Sequence, residues 1–290
     1  MGGEARGLVH SSAMHSSPFL TPACRSTYTF SAMKNIDHYK PGSFCWVELG
    51  TTDQNAAKKF YGSLFGWEAH DLPMGPSGSY TFFKLHGRDA GAGYTLNQEM
   101  LDHHVPPHWM IYIAVDDADA KAVDVKSAGG TVQKGPFDVF DVGRMAVCHD
   151  PTGAYFCIWQ SKEGVANGIA EVDGSFCWAD LNTPDPATAA KFHNQVFGWQ
   201  ISEDKDGYSH IKNGDTNIGG IPSVRPNNPR VPAHWMAYFL TSDCKGLAAK
   251  AKQLGARAML EPMLMENVGT IAILADPQGA VFALYQSVRK

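Results

Sequence analysis

The chain lacks the sequence signals of several large protein classes. No window of its 290 residues contains the run of about 18 apolar residues that a membrane-spanning helix needs. The formal net charge is −5, so there is no basic excess to attract nucleic acid or an anionic membrane. We therefore expect neither as a partner. The apolar fraction of 44% is instead that of a globular protein.

Cysteine is sparse, and its spacing is not that of a disulfide framework. The six cysteines include no Cys-x-x-Cys pair. Cys45 and Cys177 occupy matching positions in the two halves of the chain, whereas the other four have no cysteine counterpart. This pattern is typical of buried thiols in a reducing compartment. It predicts a cytoplasmic protein.

The N-terminal segment, residues 1–32, lacks both the apolar core of a signal peptide and any periodic apolar pattern. It is rich in Ser, Thr, Gly and Ala and contains two arginines and one acid, Glu4. An organellar targeting segment is one interpretation. The preferred interpretation is a disordered extension over residues 1–40, with Met33 as the true start.

What the chain does contain is an internal repeat. Residues 42–46, Gly-Ser-Phe-Cys-Trp, return at 174–178 with an offset of 132. His108 and the residues Trp-Met-x-Tyr that follow it return at His234 with an offset of 126. One stretch of the second copy is therefore six residues shorter. Two copies predict two similar domains, over residues 41–160 and 173–290, joined by a linker at 161–172.

Each copy divides again into two units of one kind. In the first unit, residues 44–49 are strand-like, Thr52 or Asp53 can cap a helix, and Gly66 can end it. The second unit opens with a strand at 109–115 and repeats the order. We predict an α+β fold with two tandem domains. Each domain is a pair of β-α-β-β-β units that form a cupped, partly closed eight-stranded sheet with outer helices.

These motifs resemble the vicinal oxygen chelate superfamily, the glyoxalase, bleomycin-resistance and extradiol-dioxygenase group. The resemblance covers residues 41–290 and is strongest to the branch with two such domains in one chain. Its motifs are Phe-Cys-Trp-x-(Glu/Asp)-Leu before a capped helix that ends in Phe-Gly-Trp, His-Trp-Met-x-Tyr, and Asp-Pro-x-Gly-Ala-x-Phe. The resemblance implies the fold but not one reaction, because this fold hosts lyases, oxygenases, epimerases and drug-binding proteins.

The resemblance also implies positions for a divalent metal, and the sequence departs from the family at each of them. In the two copies these positions fall on Trp46 and Trp178, on Met110 and Met236, and on Cys157 and Ala283. Indole is not a metal ligand, and a thioether suits Cu(I) rather than a divalent Lewis acid. A single thiol does not make a site. We predict that the protein uses no metal and no other cofactor.

Strand alternation predicts which side chains line each cup. It places Phe44, Trp46 and Glu48 on one face of the opening strand, with the same pattern in the second copy. The predicted ligand-contacting residues of the two cups are Trp46, Met110, Tyr112, Cys157, Trp159, Trp178, Met236, Tyr238 and Tyr285. Aromatic walls with a few polar groups suit a flat organic molecule.

Each cup is also predicted to hold one acid and one histidine, Glu48 with His108 and Asp180 with His234. These four are the candidate catalytic residues, since such a pair could perform acid–base chemistry. An unpaired buried carboxylate would cost on the order of several kcal/mol, so we expect the histidine to be its partner. The alternative is that the pair only holds two strands in register.

Three functions are compatible with these patterns. The preferred one is a metal-free protein that binds a small aromatic or amphiphilic molecule in the cup of each domain. The second is a lyase- or hydroxylase-like enzyme, with or without a metal. The third is a structural or interaction protein whose cups are filled by their own side chains. Self-association into a homo-oligomer is left open.

Overall fold

Two sheets of matching strand order make up the protein. The computed structural model describes residues 33–162, 166–203, 207–223 and 231–288. The proposed extension at residues 1–32 lies outside the described residues. Five helices accompany the strands within the described ranges, and none of them is long and apolar enough to cross a membrane.

The first domain contains one sheet and three helices. Its strands are β1 Lys34–Ile36, β2 Phe44–Thr51, β3 Glu68–Pro73, β4 Ser79–Leu85, β5 Arg88–Thr95, β6 His108–Ala114, β7 Thr131–Val139, β8 Gly143–His149, β9 Tyr155–Ser161 and β10 Gly168–Ala170. Its helices are α1 Gln54–Phe65, α2 Gln98–Asp102 and α3 Ala118–Ser127, with a short 3-10 turn at Gly75–Ser77. The order across the main sheet is β3-β4-β5-β2-β6-β9-β8-β7.

The second domain repeats this arrangement. Its strands are β11 Phe176–Asn182, β12 Gln200–Glu203, β13 Ser209–Asn213, β14 Thr216–Ile221, β15 His234–Leu240, β16 Arg257–Met265, β17 Gly269–Ala275 and β18 Val281–Ser287, and its helices are α4 Pro186–Phe197 and α5 Cys244–Gln253. The order β12-β13-β14-β11-β15-β18-β17-β16 matches that of the first sheet. The predicted α+β fold of two tandem domains is confirmed.

The capping residues identified in the sequence begin and end the helices as predicted. The Asp53 carboxylate accepts from the backbone N–H of Ala56, which satisfies a free donor at the start of α1. Gly66 ends α1 with a φ of 74°, a conformation that suits glycine. Asp185 and Gly198 do the same for α4.

The two opening strands of each domain pair with each other. β2 runs antiparallel to β6, with Trp46 opposite Tyr112 and Glu48 opposite Met110. β11 and β15 pair in the same register, with Asp180 opposite Met236. Both units of a domain therefore contribute to one concave face.

A bulge at the start of each opening strand corrects the predicted lining. The register shifts between Phe44 and Trp46, and likewise in the second copy. An extra residue reverses the alternation, so Phe44 points away from the cup. Its ring packs edge-on against Phe176 and Trp235 of the other domain. Sequence alternation alone placed Phe44 wrongly on the face of Trp46 and Glu48.

The largest hydrophobic core lies between the two domains. It includes buried side chains from both halves, among them Val47 and Ile111 from the first and Phe239 and Phe282 from the second. The helices pack there as well, α1 against α5 and α3 against α4. These four helices therefore lie outside the cups, as predicted, and are covered by the other domain, whereas α2 borders the cavity.

The Phe-Gly-Trp motifs join the domains reciprocally. Trp67 Nε1 donates to the carbonyl of Gly174 at 3.1 Å, and Trp199 Nε1 donates to the carbonyl of Gly42 at 2.8 Å. Each indole thus reaches the glycine that precedes the opening strand of the other domain. The Phe-Gly-Trp motifs of both copies therefore stabilise the interface between the domains.

A strap formed by β1 and β10 closes one side of the first cup. The two strands pair antiparallel, and Gly168 of β10 pairs with Asp89 of β5. The guanidinium of Arg88 donates to the carbonyls of Ile36 and Gly168. Residues 34–36 of the predicted extension and residues 168–170 of the predicted linker are therefore strands of the first sheet. The two predicted boundaries are corrected accordingly.

Candidate functional site

The concave face of the first sheet opens into a large cavity. The cavity has a volume of about 2540 Å³ and continues into the second domain, where Asp180, Met236 and Tyr238 line it. Pockets for small molecules usually span about 300–1,000 Å³, so the space exceeds what one such ligand needs. The cup side chains that line it are Trp46, Glu48, Tyr80, Phe82, Tyr94, Met110, Tyr112, Val139, Met145, Cys157 and Trp159.

Glu48 lies inside the first cup, held by tyrosines. The hydroxyl of Tyr112 donates to Glu48 Oε2 at 2.8 Å. Tyr80 also hydrogen-bonds to this carboxyl, and Trp46 Nε1 donates to the Tyr80 hydroxyl at 3.3 Å. Burial raises the pKa of Glu48, and the two tyrosine hydrogen bonds only partly oppose this.

Asp180 occupies the matching position in the second cup and has more donors. Trp178 Nε1 and the Tyr208 hydroxyl donate to Oδ1 at 2.9 and 2.7 Å, and the Tyr238 hydroxyl donates to Oδ2 at 2.7 Å. Asp180 is only 4% exposed. Burial raises its pKa in the same direction as that of Glu48.

The inward position predicted for the two acids is correct, but the predicted histidine partners are wrong. His108 Nδ1 lies 2.8 Å from the carbonyl of Pro106, and His234 Nδ1 lies 2.8 Å from that of Pro232. His108 pairs across the strands with Gly50, two residues beyond Glu48. Each ring therefore turns back to its own Pro-x-His segment, and tyrosines take the place of histidine.

Two of the tyrosines that hold the acids were not predicted from the sequence. Tyr80 pairs with Tyr94 on β5, two residues from Ala92, and Ala92 in turn pairs with Glu48. In the second copy Tyr208 lies against Gly220, which pairs with Asp180. Their offset is 128 residues, which is neither of the two offsets of the longer motifs. A search along β4 and β13 for aromatic residues at a third offset would have found them.

The second cup is more closely packed than the first, although part of it still lines the cavity. Met236, Tyr238, Met265, Ile271 and Ala283 form a buried cluster, with Trp178 and Tyr285 packed against it. Among the described residues, Trp178, Met265, Ile271 and Ala283 do not line the cavity, whereas all four first-domain counterparts, Trp46, Val139, Met145 and Cys157, do. The ligand-contacting residues predicted for the two copies are therefore in different surroundings.

The donors in the first cup do not suit a divalent metal. The positions implied by the family resemblance hold Trp46, Met110 and Cys157, and burial raises the pKa of the Cys157 thiol, which keeps it protonated. Within the described ranges, no three His, Cys, Asp or Glu side chains come together as a metal site. The chemistry that this cup can support is hydrogen bonding and proton transfer at Glu48.

The fold is that of proteins with two cupped sheets in tandem. A comparison of the sequence with models of known protein families identifies the family. The family model of the Glyoxalase/Bleomycin resistance protein/Dioxygenase superfamily matches residues 36–158 and 175–284. The chain belongs to this superfamily, as its motifs predicted.

Relatives of similar length occur in bacteria. "Putative glyoxylase CFP32" of Mycobacterium tuberculosis is 39% identical over 257 residues, which cover 87% of this chain and 97% of that protein. "Anthracycline biosynthesis protein DauV" of Streptomyces sp. strain C5 is 33% identical over 275 residues, with 87% and 95% of the two chains covered.

Solved structures share the fold at lower identity. The Mn(II)-bound glyoxalase from Novosphingobium aromaticivorans superposes with a TM-score of 0.61 at 18% identity, over 88% of this chain and 84% of the other. The 2,3-dioxygenase LapB from Pseudomonas sp. KL28 gives a TM-score of 0.58 at 15% identity, over 87% and 93%. At these identities the likeness concerns the fold alone.

Proposed function

We propose that this protein binds one planar aromatic molecule per chain, in the cup of the first domain and without a metal. The observation that carries the proposal is the contrast between the two cups. The cavity reaches Trp46, Cys157 and Trp159 in the first cup. In the second cup Asp180, Met236 and Tyr238 also line it, but Trp178, Met265, Ile271 and Ala283 pack together and do not. This narrows the sequence-based expectation of a ligand in each domain to a single site.

The chemistry of the lining supports a flat ligand. Aromatic side chains stack on planar rings or contact them edge-on, and each such contact adds about 0.5–1.5 kcal/mol beyond area burial. Met110 and Met145 supply adaptable apolar contacts. The name of the Streptomyces relative places that protein in anthracycline biosynthesis, and anthracyclines are planar fused-ring compounds. This chemistry is compatible with the first cup.

A second candidate function is acid–base catalysis on the bound molecule. It is favoured by the hydrogen-bonded series from Trp46 through Tyr80 to Glu48, which ends at the open cavity. A carboxyl whose pKa is raised can donate a proton near neutral pH. Recovery of the bound molecule chemically changed after incubation would support this candidate over simple binding.

Native mass spectrometry of the purified full chain tests the proposal. We expect one small aromatic molecule per chain, released on denaturation, with no stoichiometric divalent metal. Met110→Trp should narrow the first cup beside Glu48 and weaken binding at least tenfold, about 1.4 kcal/mol. Val123→Trp is the matched control, because Val123 is 62% exposed on α3. Binding that survives Met110→Trp, or stoichiometric metal, would overturn the proposal.

A further inference from the structure

Three residues form a row across the first sheet, two positions beyond Glu48 on β2. Gly50 of β2 pairs with Tyr94 of β5 on one side and with His108 of β6 on the other. Residues paired across neighbouring strands present their side chains to the same face of a sheet. The tyrosine and the histidine both line the cavity, so this row belongs to the wall of the first cup.

Gly50 allows the polar ends of its two neighbours to come together. A Cβ atom at this position would lie 3.0 Å from His108 Cε1 and 3.1 Å from the Tyr94 hydroxyl oxygen. Both distances are shorter than most real contacts of a Cβ atom. Because glycine has no side chain, the imidazole edge and the hydroxyl can occupy this space. The two groups therefore lie close together at the cavity.

The hydrogen bond of His108 to its own segment fixes the role of each ring nitrogen. Nδ1 lies 2.8 Å from the carbonyl oxygen of Pro106. A carbonyl oxygen can only accept, so Nδ1 carries the hydrogen and Nε2 of the neutral ring is an acceptor. Burial lowers the pKa of His108 from its ordinary value of about 6.5. The ring is therefore neutral at pH 7.5.

Both polar groups are available to a ligand. In the part of the chain that the structure describes, neither the Tyr94 hydroxyl nor His108 Nε2 forms a hydrogen bond. The tyrosine hydroxyl can donate, and Nε2 can accept. A hydroxyl group of a ligand is complementary to this pair, because it donates its hydrogen to Nε2 while its oxygen accepts from the tyrosine.

The second domain has the histidine but not the pair. His234 Nδ1 makes the same 2.8 Å contact with the carbonyl two residues before it. Its partner across the strands, however, is Asn182 rather than a glycine. The position that matches Tyr94 holds Pro222, which has no hydroxyl. The contact of the histidine with its own segment is therefore common to both copies, whereas the tyrosine–histidine pair is specific to the first cup.

We infer that Tyr94 and His108 bind a hydroxyl group on the ring of the bound molecule, so the ligand class is a hydroxylated aromatic compound. The ligand hydroxyl donates to His108 Nε2 and accepts from the Tyr94 hydroxyl. This rests on the proposed function, since it assumes that an aromatic ligand enters the first cup. A site that hydrogen-bonds a hydroxyl of its ligand discriminates against the analogue that lacks it. The pair thereby determines specificity, and the aromatic walls provide most of the contact area.

Three naphthalene probes of similar size test this inference. 2-Naphthol can donate and accept at its substituent, 2-methoxynaphthalene can only accept, and 2-methylnaphthalene can do neither. Equilibrium dialysis of the full chain at pH 7.5 should show at least tenfold tighter binding of 2-naphthol than of 2-methylnaphthalene. 2-Methoxynaphthalene should bind at least threefold more weakly than 2-naphthol, because it has no hydrogen to donate to His108.

Two variants separate the hydrogen bonds from the local structure. His108→Asn keeps a donor near the place of Nδ1 for the Pro106 carbonyl and removes Nε2, so it should reduce the preference for 2-naphthol over 2-methylnaphthalene to less than threefold. Tyr94→Phe removes only the hydroxyl and should reduce this preference at least threefold. His70→Asn is the matched control, because His70 is exposed on β3 and does not line the cavity. It should leave all three affinities unchanged.

The outcomes distinguish this inference from the proposed function. Equal binding of 2-naphthol and 2-methylnaphthalene, or a preference that persists unchanged in either variant, overturns the inference alone. An equal loss of affinity for all three probes in His108→Asn also overturns it, because the histidine would then only hold its own segment. If a variant does not fold, the wild type decides, since equal binding of 2-naphthol and 2-methoxynaphthalene excludes donation to His108. Binding of none of the probes overturns the proposed function and the inference with it.

Discussion

The two cups share one framework and differ in what occupies it. Tyr112 and Tyr238 each donate to the acid on the neighbouring strand, at 2.8 and 2.7 Å. Around them the first cup is open, whereas in the second Met236 is 7% exposed and Asp180 4%. The same acid–tyrosine arrangement therefore lines the cavity in both domains, but the acid is half-buried in the first and buried in the second.

This difference indicates that the two domains have different roles. A buried acid with three donors contributes a satisfied, rigid core, whereas a half-buried acid can exchange its partners for those of a ligand. The second domain also supplies half of the shared core, including Phe239 and Phe282. It therefore supports the first domain through this packing.

The largest expected effect is the loss of the more buried acid. Asp180→Ala should lower the free energy of unfolding by about 3–5 kcal/mol, because the Tyr208 and Tyr238 hydroxyls and the Trp178 N–H lose their acceptor at a site with little access to solvent. Glu48→Ala should cost about 1 kcal/mol, since water in the open cup can replace the carboxyl. Urea unfolding of both variants measures the difference. Equal losses of unfolding free energy would show that the two acids stabilise the fold to the same extent.

The next effect concerns the methionines that face the acids. Met236→Ala should cost about 2–4 kcal/mol, the usual range for a truncated buried side chain. Met110→Ala should cost less, about 1 kcal/mol, because Met110 is only half-buried at the cavity. Thermal unfolding monitored by circular dichroism compares the pair. A larger loss for Met110→Ala would mean that the first cup is the more tightly packed of the two.

Much of the fold could be predicted from the internal repeat, for physical reasons that specific residues illustrate. Helix caps are local, so Asp53 and Gly66 could be identified directly. The sheet register follows from alternation, which correctly placed Trp46, Met110 and Tyr112 in one cup. The bulge beside Phe44 could not be predicted, because an extra residue in a strand leaves no local composition signal.

The partners of the acids could not be derived from the sequence because they depend on tertiary packing. His108 follows Pro106 closely, and its ring bonds that carbonyl rather than the carboxyl one strand away. How closely each cup is packed could not be read from the motifs either. Val139 and Met265 are the last residues of the equivalent strands β7 and β16, yet only Met265 is buried in a cluster.

The domain interface offers a third comparison, between Tyr61 and His193. The Tyr61 hydroxyl accepts from Trp109 Nε1 and donates to Asp276 at 3.0 Å. At the matching place His193 Nε2 lies 3.3 Å from Asp150, while His193 Nδ1 and Trp235 Nε1 have no hydrogen-bond partner in the described part of the chain. The first-copy arrangement is satisfied, and the second is not.

His193→Tyr should have the smallest effect and should make the interface insensitive to acid. Burial lowers the pKa of His193 despite the hydrogen bond to Asp150. In the unfolded chain His193 therefore binds a proton near pH 6.5, whereas in the folded chain it does not. The free energy of unfolding falls as the pH drops below that value. A tyrosine does not titrate there and gives Trp235 an acceptor.

We expect His193→Tyr to raise the free energy of unfolding by about 1 kcal/mol at pH 7 and by more at pH 5. The reciprocal Tyr61→His should do the opposite, with stability lost at pH 7 and acid sensitivity gained. Urea unfolding of the wild type and both variants at pH 5, 6, 7 and 8 measures this. Parallel pH profiles for all three proteins would contradict the assignment, because they would mean that neither side of the interface depends on the protonation of an imidazole.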